Sequence, residues 1–159
     1  MTRIGLGYDS HRFKEGDGVI LGGVFIPFHK ALAGHSDADA VIHALMDALL
    51  GAAGKGDIGE HFPDSHPDYA GCDSTTLLER VMEMVTPPWV VGNIDLVILA
   101  EEPKIAPYTA RIRERIAALC RVSPASVSVK GKTNEGMGFV GRGEGIAVLA
   151  SVLMTKGDK

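Results

Sequence analysis

The sequence predicts an α+β fold: a two-layer sandwich in which helices pack on one face of a mixed sheet. Three observations lead there. The N-terminal part reads as strand and hairpin with no helical period. The rest alternates helix and strand. The length, 159 residues, suits one compact domain with one core, taken as residues 1–159.

Arg3 to His11 reads as the first strand. A period of two puts Ile4, Leu6 and Tyr8 on one face and Gly5, Gly7, Asp9 and His11 on the other. Val19–Leu21 and Val24–Ile26 flank Gly22-Gly23, a two-residue hairpin signal. A helix is expected from Ser36, because Ser36 followed by Asp39 approximates a capping box, and its apolar stripe is Ile42, Leu45, Met46, Leu49 and Ala53. A second helix runs from Asp73 or Ser74 to Thr86, buries Leu77, Leu78, Val81 and Val85, and stops at Pro87-Pro88. Asn93 to Ala100 is a buried strand. Pro107 opens a third helix with Ile112, Ile116, Leu119 and Cys120 inward. Val127–Lys130 and Gly145–Met154 complete the strands.

Composition excludes several functions. A net charge of −4 does not suit a general nucleic-acid binder, which needs a basic face to neutralise phosphates. No run is apolar and long enough to span a membrane, and Met1 to Gly7 lacks the apolar core of a signal peptide. Cys72 and Cys120 have no zinc-type spacing, and a reduced bacterial cytoplasm explains them better than a disulfide framework.

Asp9 and His11 leave one face of the expected strand about 6–7 Å apart along the chain, close enough to converge on one ion. His43 lies mid-helix, flanked at spacings of four by Asp39 and Asp47, either of which is positioned to hold its imidazole. One carboxylate and two imidazoles suit zinc or a similar transition metal and leave a position open for substrate. Gly5 and Gly7 leave room beside the site. A bare D-x-H pair recurs by chance, so the polar run from Gly34 to Asp39 just before His43 carries weight here.

Two segments carry phosphate signals. Gly34-His35-Ser36 stands where the helix is expected to begin, and free backbone N–H groups there favour a phosphate. Asp37 and Asp39 in the same turn would repel it unless a cation offset them, and Ser36 acting only as an N-cap is the competing reading. Lys130 to Gly145 is rich in glycine and offers Lys132, Thr133 and Arg142 to phosphate and Glu135 to a hard cation such as magnesium. Gly136 to Gly141 matches GxGxxG, but a strand-like run follows in place of a helix, so the dinucleotide reading fails. A plain Gly-rich surface loop is the alternative. No Walker loop, HExxH or GxSxG is present.

Four stretches together resemble the 2-C-methyl-D-erythritol 2,4-cyclodiphosphate synthase family of the non-mevalonate isoprenoid route: Gly5 to His11; Gly34 to His43, continuing through Asp47 to Gly51; Gly56 to Gly59 with Phe62 to Asp64; and Gly138 to Gly145. The likeness runs over essentially the whole chain. It implies a lyase that converts 4-diphosphocytidyl-2-C-methyl-D-erythritol 2-phosphate into the cyclic diphosphate and CMP. It implies a tightly bound zinc or manganese ion on Asp9, His11 and His43 of each subunit, and a second magnesium or manganese ion that arrives with substrate and touches Glu135.

The resemblance also assigns contacts. His35 and Thr133 take transition-state stabilisation, with Ser36 beside His35 and Ser10 between the first two metal ligands. Asp57, Ile58 and Gly59 meet the sugar, and the loop Phe62, Pro63, Asp64, Ser65 and His66 is a further substrate-contact stretch. The cytidine pocket falls on Ala100, Glu101, Glu102, Pro103, Lys104, Ile105 and Ala106 with Lys132 and Thr133. Asn134, Phe139 and Arg142 complete the set. The family is a homotrimer with sites between subunits, and an axial cavity near Phe139, Arg142 and Glu144 has been proposed to take an isoprenoid diphosphate. Gly136, Lys132, Asn134 and Ala106 depart from residues common in the family. Two rival readings are a metal-dependent phosphohydrolase and an isoprenoid-diphosphate-binding protein whose metal is structural.

Overall fold

The computed structural model describes residues 1–157; the last two residues of the expected 1–159 domain lie outside it. A five-stranded mixed sheet carries helices on one face. Its centre is an antiparallel pair, β1 (Thr2–Glu15) and β7 (Gly145–Lys156). β4 (Lys30–Leu32) extends the far end of β1, β5 (Trp89–Leu99) runs antiparallel to β7, and β6 (Val127–Lys132) runs parallel to β5. The order is β4-β1-β7-β5-β6. The expected hairpin forms a separate small sheet from β2 (Gly18–Leu21) and β3 (Val24–Pro27), and Gly22 and Gly23 both take the positive φ that such a turn requires.

Helix α1 (Ala40–Ala53) lies on β1 and β7 and is buried on most of its circumference, a broader face than the single stripe the sequence indicates. It comes so close to β1 that a Cβ on Gly5 or Gly7 would sit 1.8 Å from the carbonyl oxygen of Ala48 or Ala44. The glycines therefore make room for the helix rather than for a ligand. Helix α3 (Ser74–Val85) packs on α1, and α4 (Thr109–Cys120) packs on β6 and α3. Ile94, Leu96 and Ile98 of β5 and Ile146, Val148, Val152 and Met154 of β7 complete the core from the sheet side. The opposite face of β1 is bare: Ile4 is 74% and Leu6 71% exposed. No helix among the described residues is long and apolar enough to cross a membrane.

The start of α1 corrects one expectation. The helix begins at Ala40, not Ser36, and Asp39 is its N-cap. Ala38 has φ +56°, a left-handed conformation that a right-handed helix cannot contain. Fully buried, the Asp39 carboxylate accepts from the N–H of Ile42 at 3.1 Å, Gly22 at 2.8 Å and Gly23 at 2.7 Å, which ties the hairpin turn to the helix. Burial pushes its pKa up to about 6 despite these donors. Gly34, His35 and Ser36 accordingly lie before the helix, and the helix-start argument for a phosphate at that position falls.

Candidate metal centre

Strand alternation on β1 aims Asp9 and His11 at the same side, and His43, one turn into α1, meets them. Asp9 Oδ2 lies 2.7 Å from His11 Nε2 and 3.3 Å from His43 Nδ1, and the two ring nitrogens are 3.3 Å apart. Among the described residues this is the one group of three or more His, Cys, Asp or Glu side chains whose donor atoms could hold a metal ion together. Gly34 packs closely beside it: a Cβ there would stand 3.2 Å from the His11 ring and 3.0 Å from the Ala38 Cβ.

The hydrogen bonds around the cluster indicate what belongs in it. His11 Nδ1 is 2.8 Å from the carbonyl oxygen of Ala33. A carbonyl only accepts, so Nδ1 carries the proton and Nε2 of the neutral ring presents a lone pair. Asp9 Oδ2 is buried and has no partner other than the two imidazole nitrogens that face it. A single proton can sit between only two of the three converging atoms, whereas a cation bound to all three satisfies each. Burial pushes the Asp9 carboxyl up, but hydrogen bonding and charge from His11 and His43 outweigh it and hold the group below its ordinary range. Burial lowers His11, and the hydrogen bond and charge of Asp9 outweigh that and raise it. Both directions favour positive charge at the centre. One carboxylate with two imidazoles fits zinc or another transition metal.

The other nitrogen of His43 is held by two serine hydroxyls, that of Ser36, expected at the substrate, and that of Ser74, which the sequence reading did not assign. His43 Nε2 lies 2.9 Å from Ser74 Oγ and 3.1 Å from Ser36 Oγ. Ser74 in turn donates from its hydroxyl and from its N–H to the two oxygens of Asp37. Their spacing led to the expectation that Asp39 or Asp47 would support the imidazole, and neither does. Asp39 is committed to the hairpin turn, and Asp47 accepts from the N–H of Ile58 at 2.8 Å. The sequence did hold one signal for Ser74: Asp73 and Ser74 are adjacent cap-type residues, and Asp73 is the cap.

A cavity of about 640 Å³ opens beside the cluster. It brings Asp9, His11 and His43 together with His35, Ser36, Ile58, Gly59, Phe62 and Asp64. His35 and Asp64 face each other across 3.9 Å. Asp57 caps the short helix α2 (Ile58–His61) by accepting from Glu60 N–H at 3.0 Å, and His66 caps the turn that follows, with its own N–H bonded to Pro63.

Residues 100–106 and 132–135 line neither this cavity nor a second one of about 810 Å³. They form their own cluster. Ala100 N–H donates to Lys132, and the Glu101 carboxylate accepts from the N–H of Asn134 at 2.9 Å and of Gly136 at 3.3 Å. Glu135, with φ +53°, projects from this turn. Ser10, Phe139 and Glu144 line the second cavity, and Arg142 is paired with Glu144.

Comparison with known proteins places the chain. Residues 2–155 match the YgbB family model. The 2-C-methyl-D-erythritol 2,4-cyclodiphosphate synthase of Lysinibacillus sphaericus is 48% identical over 98% of this chain and 99% of its own. Among solved structures, IspF of Plasmodium falciparum in complex with CDP superposes with a TM-score of 0.86 at 32% identity, covering 99% of this chain and 97% of that one. The bifunctional IspDF of Campylobacter jejuni gives a TM-score of 0.95 at 37% identity over 99% of this chain, which spans only 43% of that longer protein. The chain belongs to the YgbB family of 2-C-methyl-D-erythritol 2,4-cyclodiphosphate synthases.

Proposed function

We propose that this chain converts 4-diphosphocytidyl-2-C-methyl-D-erythritol 2-phosphate into 2-C-methyl-D-erythritol 2,4-cyclodiphosphate and CMP. The observation that carries the reading is the convergence of three donor atoms, from Asp9, His11 and His43, at the edge of a cavity in a chain 48% identical to a synthase over almost its full length. Those three residues would hold one zinc or manganese ion. When bound, such an ion supplies positive charge to diphosphate oxygens.

The substrate brings its own nucleophile. A phosphate monoester has a second pKa of about 6, so the 2-phosphate is mostly a dianion at neutral pH. Its oxygen forms a bond to the β-phosphorus, the bridging P–O bond to the cytidylyl phosphate breaks, and CMP leaves with the electron pair. The protein has to bend the substrate and exclude water, and positioning of this kind is worth roughly 7–11 kcal/mol in favourable cases. His35, Ser36, Ile58, Gly59, Phe62 and Asp64 are grouped at one cavity and suit the sugar-phosphate end. Thr133, Lys132 and the 100–106 segment suit the cytidine end, and Glu135 suits a second ion, magnesium or manganese.

These two groups lie apart within one chain. The bare apolar stripe of Ile4, Leu6 and Tyr8 supports a homotrimer in which neighbouring copies bring them together. The cavity lined by Phe139 and Glu144 is then the place for an isoprenoid diphosphate. Two free cysteines, one of them the buried Cys120 whose thiol burial pushes up to about 12, suit a reducing cytoplasm.

A hydrolase would use the same ligands to deliver water, and the relatives do not favour it. The reaction run in oxygen-18 water separates the two. Cyclisation gives an unlabelled cyclic diphosphate, lighter by one water than the hydrolysis product, with CMP in equal amount. Stoichiometric linear bisphosphate carrying oxygen-18 would overturn the proposal.

A further inference from the structure

The side of His43 that faces away from the cluster carries a second piece of chemistry. Asp37 takes three donors: the N–H of Asp39 at 3.1 Å, the N–H of Ser74 at 2.9 Å and the hydroxyl of Ser74. A serine hydroxyl has one proton. Ser74 gives it to Asp37, so toward His43 it can offer only a lone pair. His43 Nε2, 2.9 Å away, must then be the donor. A neutral imidazole with its proton on Nε2 has its lone pair on Nδ1, the atom 3.3 Å from both Asp9 Oδ2 and His11 Nε2. Ser74 is fully buried, so water does not compete for this contact.

We propose that Ser74 and Asp37 are positioning residues that lock His43 in the Nε2–H tautomer and point its Nδ1 lone pair at the metal. The chain of acceptors runs from a residue just ahead of α1, through the first turn of α3, to a ligand on α1. It links Ser74 to Asp37 and His43, which lie 37 and 31 positions earlier in the sequence. His11 receives the equivalent service from the Ala33 carbonyl, so both imidazoles have the outward nitrogen committed to an acceptor. Outer partners of this kind commonly alter metal affinity about 10–100-fold.

The inference rests on the metal site proposed above, and the test keeps the two apart. Zinc-loaded protein is titrated with a competing chelator, and the Nε2–H proton of His43 is followed by 15N-resolved NMR. In the parent protein that proton should be a slowly exchanging, downfield resonance. Ser74→Ala should weaken zinc retention about 10–100-fold and let the proton exchange with water. Ser74→Thr, which keeps the hydroxyl, should restore both. Asp37→Asn, which has one acceptor oxygen fewer, should fall between and keeps the test open if Ser74→Ala does not fold. Full zinc retention by His43→Ala would remove the metal assignment itself. Loss of zinc in His43→Ala, with retention and exchange unchanged in Ser74→Ala and Asp37→Asn, would overturn only the lock and hand the Nε2 proton to Ser36.

Discussion

The β1–α1 contact and the glycine-rich turn between β6 and β7 both contribute residues expected to act on a phosphorylated substrate, yet they are built in opposite ways. The first places its side chains on the regular backbone of a long strand and a buried helix, packed until backbone touches backbone. The second presents Thr133 and Glu135 from an exposed turn held by one carboxylate, Glu101, and by residues in positive φ. A site that holds an ion tightly between fixed atoms gains precision from the first construction, because ligand positions there follow from secondary structure. A site that meets a flexible substrate tolerates the second.

The largest expected effect lies in the rigid half. His43→Ala removes one of the three proposed ligands and leaves two donors of the cluster in place of three. Activity should be abolished and bound metal greatly reduced, with the circular dichroism of the folded chain retained. Metal analysis of the purified variant checks this.

Glycine-to-alanine pairs measure the contrast directly. At Gly7 a Cβ would lie 1.8 Å from the Ala44 carbonyl oxygen, and neither backbone can yield without moving α1 off the sheet. Gly7→Ala should destabilise the fold by about 3 kcal/mol or more, the upper end of overpacking costs. At Gly136 nothing lies within 4 Å of the added atom, and only φ +74° opposes it. Gly136→Ala should cost about 1–2 kcal/mol, the penalty of a left-handed residue. Urea denaturation of both variants checks the ranking, and equal losses would erase the distinction between the two regions.

The same contrast sets what the sequence made legible. Asp9, His11 and His43 were readable because a period of two on a strand and an unbroken helix fix directions locally. The start of α1 was not, since Asp39 is claimed by turn amides 17 and 16 residues earlier, and Ala38 adopts a conformation that its side chain does not signal. Ser74 reaches Asp37 across 37 positions and His43 across 31, contacts that no local pattern encodes. The alternation of β1 correctly separated its two faces, but apolar Ile4 and Leu6 turned out to be the exposed set and the glycines the buried one. Residue type alone would assign those faces the other way, because close helix packing rewards a missing side chain over an apolar one.

The smallest expected effect belongs to the turn. Glu135 is exposed, and its backbone is held from both sides: its own N–H lies 3.3 Å from Thr133 Oγ1, while Glu101 anchors Asn134 and Gly136. The side chain therefore stays displayed after substitution, and Glu135→Gln should alter neither the fold nor the metal proposed at Asp9, His11 and His43. What it changes is the oxygen offered to a hard cation. Magnesium prefers anionic or water oxygens, keeps several waters, and is usually shared with substrate phosphates, so one protein carboxylate supplies only part of its binding. Glu135→Gln should thus raise the magnesium concentration needed for half-maximal activity by several-fold, about 1 kcal/mol in binding, and leave the rate at saturating magnesium close to the parent value. A magnesium titration of both proteins, with the tight metal assayed in parallel, measures it. An unchanged midpoint would show that the turn displays Glu135 for some purpose other than a cation, and loss of the tight metal would show that the two regions are coupled rather than separate.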